Sequence, residues 1–258
     1  MLCGGRGTRI RDVADDIPKP MILIGSRPVL WHIMKIYSWY GLNEFILCLG
    51  YKGWTIKEFF LNYRAFSSSF TIDLGKQSSP DFHDNLAESW RVTLAETGDD
   101  TQTAGRLWKA KPYVEDSAVF CVTYGDGVAN VDIGKLLDFH KAHGRIATVT
   151  GVRPPGRFGV MALDQQDGFS VVNDFQEKPQ TTGGRINGGF FVFDRRVWDY
   201  LNEDERLVLE HEPLAGLARD GELVMYEHDG FWQPMDTYRE WKTLNDMWAT
   251  GNAPWKVW

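Results

Sequence analysis

The sequence has little that would fix it in a membrane, bind it to nucleic acid or cross-link it. It contains three cysteines, Cys3, Cys48 and Cys121, which lie in apolar runs without Cys-x-x-Cys spacing. We therefore expect buried free thiols in a reducing cytoplasm rather than a zinc site or disulfides. No apolar run is long enough to span a bilayer. The formal net charge of −7 comes without a basic stripe, which argues against a nucleic-acid partner.

A glycine-rich loop near the start of the chain is the first indication of function. Gly4, Gly5 and Gly7 remove three side chains from a loop that also offers Arg9 and, after a spacer, Lys19. Glycines let main-chain N–H groups approach phosphate oxygens closely, and Arg and Lys supply positive charge. The loop therefore predicts a polyphosphate site, and a plain turn between a strand and a helix is the alternative.

The stretch before this loop is short for the role that the loop suggests. A phosphate-binding glycine loop normally follows a buried parallel strand of about five or six residues. Here only Met1 and Leu2 precede Cys3. We expect either that apolar residues are missing from this start or that the protein tolerates a stub, and we expect no signal peptide before the loop.

The spacing of apolar residues predicts alternating strands and helices in the first half of the chain. Leu30, Ile33, Met34 and Tyr37 recur at helical spacing, and the apolar run 45–49 predicts a buried parallel strand. Further helices are predicted around 56–63, 107–108 and 133–140, and further strands at 70–74, 92–94, 118–123 and 147–152. The second half has more strands, predicted at 159–163, 171–176, 189–193 and 223–228. We therefore expect an α/β fold with a Rossmann-like, doubly wound, mainly parallel sheet.

Two lone aspartates are candidate metal ligands. Asp126 follows a predicted central strand between two glycines, at the edge where open α/β sheets bind ligands. Asp236 lies far along the chain, just before a predicted helix. Two such carboxylates could share one Mg²⁺, whose remaining ligands are often water and phosphate. The alternatives are a Gly-Asp-Gly turn for Asp126 and a helix N-cap for Asp236.

Other polar residues in turns are weaker candidates. Arg106 is predicted near a helix start, where main-chain donors and the helix dipole favour anions, although a surface arginine would look the same. Glu177 and Lys178 close a strand, where the lysine could contact a sugar hydroxyl or a phosphate and a surface ion pair is the alternative. Asn187 and Gly188 suit hydrogen bonding to a polyol, or a strand-edge turn. His140 and His143 have a spacing that can chelate metal, but an ordinary helix face is the preferred interpretation.

The order and spacing of these motifs resemble those of the sugar-1-phosphate nucleotidyltransferases. The segments LWHIMKIYSWYG, GYKGWTIKEFF, TYGDGV, PPGRFG, INGGFFVF and GFWQPMDT are similar to the glucose-1-phosphate cytidylyltransferases in particular. The resemblance covers nearly the whole chain and is poorest at 66–89. It departs from the family at Cys3, Arg6 and Ile17, where alanine, leucine and lysine are usual.

The resemblance implies one nucleotidyltransferase domain of the nucleotide-diphospho-sugar transferase type, 1–258. It has a nucleotide-binding half, 1–152, and a half, 153–258, that binds sugar phosphate and includes the C-terminal helix. The implied reaction is transfer of a cytidylyl group from CTP to α-D-glucose 1-phosphate, which gives CDP-glucose and diphosphate. Mg²⁺ is the implied cofactor, and nucleotide-sugar biosynthesis in the cytoplasm, including that for O-antigen polysaccharide, is the implied setting.

The resemblance also implies roles for individual residues. Arg9 and Lys19 would be catalytic, and Asp126 and Asp236 would hold the metal. The nucleotide would contact Leu2, Cys3, Gly4, Gly5, Arg6, Gly7, Thr8, Arg9, Thr103, Arg106 and Gly125. The sugar phosphate would contact Glu177, Lys178, Asn187 and Gly188.

Three alternatives stay open at this point. The enzyme could use dTTP or UTP, because no spacing argument separates the pyrimidine bases. The chain could be a catalytically idle nucleotide-sugar sensor. A Rossmann oxidoreductase is weaker, because its second strand should end in an acidic residue and this one ends at Gly50-Tyr51-Lys52. We also expect a homo-oligomer, in which Trp255 and Trp258 could cover a subunit contact, with packing on their own domain as the alternative.

Overall fold

The computed structural model describes most of the chain. The described residues are 1–5, 17–76, 79–84, 87–114, 116–154, 160–166, 169–176 and 184–258, and for 160–166 and 169–176 only the backbone is described. The α-helices are α1 (Val29–Trp39), α2 (Gly53–Leu61), α3 (Tyr63–Ser67), α4 (Thr103–Ala110), α5 (Ile133–His143), α6 (Glu212–Arg219) and α7 (Tyr238–Ala249). Short 3₁₀ helices span Lys19–Met21, Lys111–Tyr113 and Arg195–Tyr200. In these ranges no helix has the length and apolar character needed to cross a bilayer.

The strands follow the predicted pattern and add several short ones. They are β1 (Leu23–Ile24), β2 (Arg27–Pro28), β3 (Glu44–Leu49), β4 (Phe70–Thr71), β5 (Asp81–Phe82), β6 (Arg91–Glu96) and β7 (Val119–Thr123). The others are β8 (Gly127–Ala129), β9 (Ala147–Val152), β10 (Val160–Gln166), β11 (Phe169–Gln176), β12 (Ile186–Asp194), β13 (Leu223–His228) and β14 (Trp232–Pro234). The segment with the poorest resemblance therefore contains a small hairpin, in which β4 pairs with β5.

The central sheet confirms the predicted α/β architecture with one reversal. Strands β3 and β6 are parallel, and so are β9 and β13. Between them, β12 runs antiparallel to both β7 and β9. The order across the sheet is β6, β3, β7, β12, β9 and β13, with Leu2 forming the link between β3 and β7.

Leu2 completes the sheet at the position expected for a first strand. It forms parallel bridges with Cys48 on one side and Tyr124 on the other. Its N–H donates to the Thr123 carbonyl at 2.9 Å, and the Cys48 N–H donates to the Met1 carbonyl at 2.9 Å. Below this contact, a cavity of about 250 Å³ lies between β3 and β7. The sheet is thus joined at its carboxyl end, where the glycine loop begins.

The core lies on both faces of the sheet, because β12 is apolar on both sides. Phe190 and Val192 pack in a cluster that includes helices α1 and α7, while Phe191 and Phe193 pack in a second cluster on the opposite face. Successive side chains of a strand point to opposite faces, so a continuous apolar run is expected only where both faces are covered. The run GFFVF is therefore a central strand.

The C-terminal tryptophans pack against α1 of their own chain. Trp255 is fully buried, and its ring lies 6.3 Å from that of Trp248 and 6.2 Å from that of His32. Trp258 contacts Trp31 edge to face at 5.8 Å. Packing on the domain thus accounts for Trp255, which is not available for the subunit contact that we considered from the sequence.

His32 is buried in this aromatic cluster in its neutral form. Trp255 Nε1–H donates to His32 Nδ1 at 3.4 Å, so the ring proton is on Nε2, 3.0 Å from the Ile24 carbonyl oxygen. Burial lowers the pKa of His32 to about 4. Since the unfolded chain takes up this proton near pH 6.5, the native state loses stability as the pH falls through that value.

This shift predicts an acid-sensitive fold. We expect the unfolding free energy to fall by about 3 kcal/mol between pH 6.5 and pH 4 because of His32, since each pKa unit corresponds to about 1.4 kcal/mol. Burial likewise lowers the pKa of His140 to about 4, which adds a contribution over the same window. Urea unfolding at about pH 7.0, 5.5 and 4.5, which roughly span that window, measures the loss of unfolding free energy. His32→Gln should flatten the pH dependence, and an unchanged slope would contradict the assignment to His32.

Candidate active site

A cleft of about 500 Å³ opens at the carboxyl ends of the strands joined by Leu2. This is the edge at which open α/β sheets bind ligands. The lining combines the start of the glycine loop, one lysine, several aspartates and the first turn of α4. Its residues are Leu2, Cys3, Gly4, Gly5, Lys19, Pro20, Asp99, Asp100, Thr101, Gln102, Thr103, Arg106, Tyr124, Gly125, Asp126 and Asp236.

The two predicted metal ligands come together in this cleft. Strands β8 and β14 are antiparallel with Gly127 opposite Pro234, and the Met235 N–H donates to the Asp126 carbonyl at 2.9 Å. This short pair of strands brings Asp126, just before β8, next to Asp236, just after β14. The two carboxylates both contact Lys19 Nζ, although Asp126 and Asp236 are 110 residues apart in the sequence.

Lys19 lies between the two carboxylates. Its 3₁₀ helix follows Pro18, and the ammonium group donates to Asp126 Oδ2 at 2.7 Å and to Asp236 Oδ1. Only 10% of the lysine side chain is exposed, against 37% and 35% for the aspartates. Burial lowers the pKa of Lys19, but the charges and hydrogen bonds of both carboxylates outweigh it, so the pKa lies above its usual value. Lys19 is therefore a charged group in the cleft wall.

The alternative role for Asp236 is not the one observed. The N-cap of α7 is Thr237, which accepts from the Glu240 N–H, and the Glu240 carboxylate accepts from the Thr237 N–H in a capping box. The Asp236 side chain thus does not cap the helix, and it contacts Lys19. Its main-chain N–H donates to Glu240 Oε2 at 2.8 Å, which fixes the residue at the helix start.

Arg106 holds the main chain of two loops rather than lying on the surface. It is 5% exposed, and Nη1 donates to the carbonyls of Leu49 and Gly98 and to Thr97 Oγ1 at 2.8–2.9 Å. Nη2 donates to the carbonyls of Gly4 and Asp99 at 3.1 and 3.2 Å. The guanidinium group therefore ties the glycine loop to the loop after β6, along one wall of the cleft.

This position of Arg106 explains one of the loop glycines. A Cβ atom on Gly4 would overlap with the Arg106 guanidinium group, and so would one on Gly50 at the end of β3. Gly5, by contrast, has no atom within 4 Å of the place where its Cβ would be. Gly4 is thus required by the neighbouring arginine, while Gly5 leaves open space at the cleft.

Several main-chain N–H groups at the start of α4 have partners in another loop. The N–H groups of Ala104 and Gly105 donate to the Leu207 carbonyl at 3.1 and 3.3 Å, and the Gln102 N–H donates to the Glu205 carbonyl at 2.7 Å. These donors of the first turn are therefore occupied by the loop before α6. The sequence does not show which loop packs on a helix end, so this packing beside Arg106 could not be predicted.

A polar network that the sequence did not indicate links Thr103 at the start of α4 to Asn187 on β12. Glu210 accepts from the hydroxyl groups of Thr103, at 2.7 Å, and Tyr124. Asn187 Nδ2 donates to the Tyr124 hydroxyl oxygen at 3.3 Å, and its Oδ1 accepts from the Gly189 N–H at 2.8 Å. Burial and the Glu210 contact raise the pKa of Tyr124, so this hydroxyl is a neutral donor. Thr103 and Asn187 are thus linked through Glu210 and Tyr124.

The other candidates are placed as follows. Gly125 lies against the glycine loop, its N–H donating to the Leu2 carbonyl at 3.1 Å, and the Gly188 carbonyl accepts from Trp232 Nε1–H at 2.7 Å. Burial raises the pKa of Cys3 to about 12, so its thiol is a neutral part of the wall. Arg6, Gly7, Thr8, Arg9, Glu177 and Lys178 lie outside the described residues.

The histidine pair on α5 has a structural role. His140 Nδ1 and His143 Nε2 lie 2.8 and 2.7 Å from Thr148 Oγ1, a hydroxyl group on β9. The ordinary helix face that we preferred from the sequence is thus what the structure shows.

Asp126 and Asp236 fit a divalent cation by the chemistry of their donors. One oxygen of each carboxylate contacts the ammonium group of Lys19, so the two carboxylates already bind one positive charge between them. Within the described ranges, no cluster of three or more His, Cys, Asp or Glu side chains could hold a metal. Among the described residues these two carboxylates thus stand alone, and phosphate oxygens and water are the other ligands that Mg²⁺ usually takes.

A glycine-lined cleft at the carboxyl ends of parallel strands, with a lysine and paired carboxylates, is typical of enzymes that act on nucleoside triphosphates. The family model described as Nucleotidyl transferase matches residues 1–234, and the chain belongs to that family.

Within this family, the chain is similar to curated glucose-1-phosphate cytidylyltransferases. The chain is 50% identical over 258 residues to the glucose-1-phosphate cytidylyltransferase of Salmonella typhi, covering all of this chain and 98% of the relative. It is 48% identical over 260 residues to a probable glucose-1-phosphate cytidylyltransferase of Bacillus subtilis, with the same coverage. The family resemblance that we identified from the motifs is thereby confirmed.

A solved structure supports the fold. HddC from Yersinia pseudotuberculosis superposes with a TM-score of 0.66 at 21% identity, over 96% of this chain and 97% of HddC. At this identity the match bears on architecture alone.

Proposed function

We propose that this protein transfers the cytidylyl group of CTP to α-D-glucose 1-phosphate, which yields CDP-glucose and diphosphate. The observation that carries the proposal is the convergence of Lys19, Asp126 and Asp236 in a cleft that begins at the glycine loop. The choice of CTP and glucose 1-phosphate follows from the relatives that are 48–50% identical over nearly their whole length.

The reaction needs charge and alignment more than it needs a base. An oxygen of the sugar phosphate forms a bond to the α-phosphorus of CTP. The bond from that phosphorus to the bridging oxygen breaks, and diphosphate leaves with the electron pair. The attacking phosphate is already an anion, so no proton has to be removed, and the site must offset the repulsion between two anions.

The residues of the cleft suit this requirement. Lys19 supplies a positive charge, and its attraction for the leaving diphosphate grows as negative charge develops there. We assign the same role to Arg9. Asp126 and Asp236 would hold Mg²⁺, which supplies further positive charge for the triphosphate when bound. The main chain of Gly4 to Thr8 would contact the phosphates, and Leu2, Cys3 and Gly125 would form the wall beside them.

We assign substrate recognition to two groups of residues, which include Thr103 and Asn187 at the ends of the Glu210 network. Thr103 and Arg106 would face the nucleotide, within the half 1–152. Asn187 and Gly188, together with Glu177 and Lys178, would face the sugar phosphate, within the half 153–258. We also propose that the enzyme acts in the cytoplasm as a homo-oligomer, in the pathway that makes nucleotide sugars for polysaccharides.

A nucleotide panel tests this function. Diphosphate release is measured with CTP, dTTP, UTP and GTP in turn, each with glucose 1-phosphate and Mg²⁺. We expect CTP to be preferred by at least about tenfold in kcat/KM. A preference for dTTP or UTP would identify a different nucleotidyltransferase, and CTP binding without diphosphate release would indicate a sensor.

A further inference from the structure

The ammonium group of Lys19 occupies the place between the carboxylates where a cation is expected. It contacts Asp126 Oδ2 at 2.7 Å and Asp236 Oδ1, one oxygen of each carboxylate. All three residues line the cleft, and the two aspartates are more than three times as exposed as Lys19, so solvent reaches the carboxylates more readily than the ammonium group. A divalent cation that binds both carboxylates therefore comes close to the ammonium group, which already holds one oxygen of each.

We propose that Lys19 is a built-in competitor of the divalent cation, held on Asp126 and Asp236 until the metal displaces it. The inference rests on the proposed function only in that it takes this carboxylate pair as the metal site. Two carboxylates and one ammonium leave a net charge of −1, whereas a divalent cation neutralises the pair. The ammonium and the metal then repel each other at this short range.

Displacement would give Lys19 its role in the reaction. Once its bonds to the carboxylates are lost, a buried ammonium group needs new acceptors, because an unpaired buried charge is costly. The oxygens of a triphosphate in the adjacent cleft are such acceptors. Metal binding and triphosphate binding would therefore favour each other through this one side chain, and the metal alone would bind weakly.

The main test measures metal binding with no nucleotide or sugar present. Mn²⁺ is titrated into wild-type protein and into Lys19→Met, which keeps the length of the side chain and removes its charge, and free Mn²⁺ is followed by electron paramagnetic resonance. We expect Lys19→Met to bind Mn²⁺ at least about tenfold more tightly, within the usual range of coupling between sites. Equal or weaker binding by the variant would overturn the proposal.

Two matched variants show whether a gain arises from this site. Lys135→Met removes one positive charge from a lysine that is 77% exposed and 3.5 Å from Asp132, and it should leave Mn²⁺ affinity unchanged. Lys19→Met combined with Asp126→Asn should lose the gained affinity. A gain that persists in the double variant, or that also occurs in Lys135→Met, would contradict displacement at the carboxylate pair.

A second measurement uses wild-type protein and does not depend on the folding of a variant. Acylation of Lys19 by an amine-reactive reagent is followed by peptide mass spectrometry with and without Mn²⁺. Labelling should become faster with the metal, and unchanged or slower labelling would contradict the proposal. Because neither measurement contains substrates, a failure of the CTP preference leaves this test intact. Equally, a failure here leaves the nucleotide panel intact.

Discussion

Replacing Lys19 with methionine is expected to lower kcat by about a hundredfold or more, the usual effect of removing one charge-stabilising group from a transition state. The side chain lies in the cleft wall, 2.7 Å from Asp126. The loss should fall on kcat more than on KM, because the additional negative charge on the departing diphosphate develops only as the bond breaks. Steady-state kinetics with saturating Mg²⁺, CTP and glucose 1-phosphate measure the effect.

The control for this change is Lys135→Met, which removes an exposed lysine outside the cleft and should retain wild-type turnover. Thermal unfolding in the presence of Mg²⁺ shows whether Lys19→Met is folded. A folded variant with nearly normal turnover would remove Lys19 from the mechanism. Tighter metal binding with slower turnover in the same variant would distinguish a residue that competes with the metal from one that helps to bind it.

The sequence was sufficient for the elements that depend on local pattern. The apolar run 45–49 and the run ending at Thr123 are strands β3 and β7, and the helical spacing after Pro28 is α1. These assignments succeed because a strand covered on both faces must be apolar throughout, while a helix packed on one side shows its period. The antiparallel direction of β12 has no comparable signature, because strand direction is set by connections elsewhere.

The contacts within the cleft depend on the fold more than on local sequence. We expected from the sequence that Asp126 and Asp236 could share one Mg²⁺, and the two residues do meet, but they do so through β8 and β14, two strands of three residues that are too short to give a pattern. The contact of Lys19 with both carboxylates spans 107 and 217 residues of sequence, and no spacing rule reaches that far. The Glu210 network was missed for the same reason.

Arg106 has a structural role that the sequence did not indicate. The sequence placed it near a helix start and offered either a nucleotide contact or a surface position. The structure shows five hydrogen bonds from a buried guanidinium group to the glycine loop, to the loop after β6 and to the last residue of β3. Since the acceptors are mainly carbonyl groups that any residue could supply, their position follows from the fold and not from the sequence letters.

Replacing Arg106 with methionine is expected to lower the unfolding free energy by about 3 kcal/mol or more, because buried acceptors that lose their donor cost about 1–3 kcal/mol each. The melting temperature should fall by about 6–12 °C for a protein of this size. Thermal and urea unfolding measure the loss. Arg91→Met is the control. Arg91 is 82% exposed, and its ion pair with Glu44, at 3.4 Å, is exposed too, so this substitution should change the unfolding free energy by less than about 0.5 kcal/mol.

A double-mutant cycle with Gly4→Ala tests whether Arg106 is the reason for this glycine. In the wild-type background the added methyl group overlaps with the guanidinium atoms, so Gly4→Ala should be strongly destabilising. Methionine at position 106 ends before those atoms, so the same change should cost much less there. A coupling of at least about 1 kcal/mol is expected for groups in contact. Additive effects would mean that the loop needs Gly4 for its own conformation or for phosphate, and not to make room for the arginine that ties it to β6.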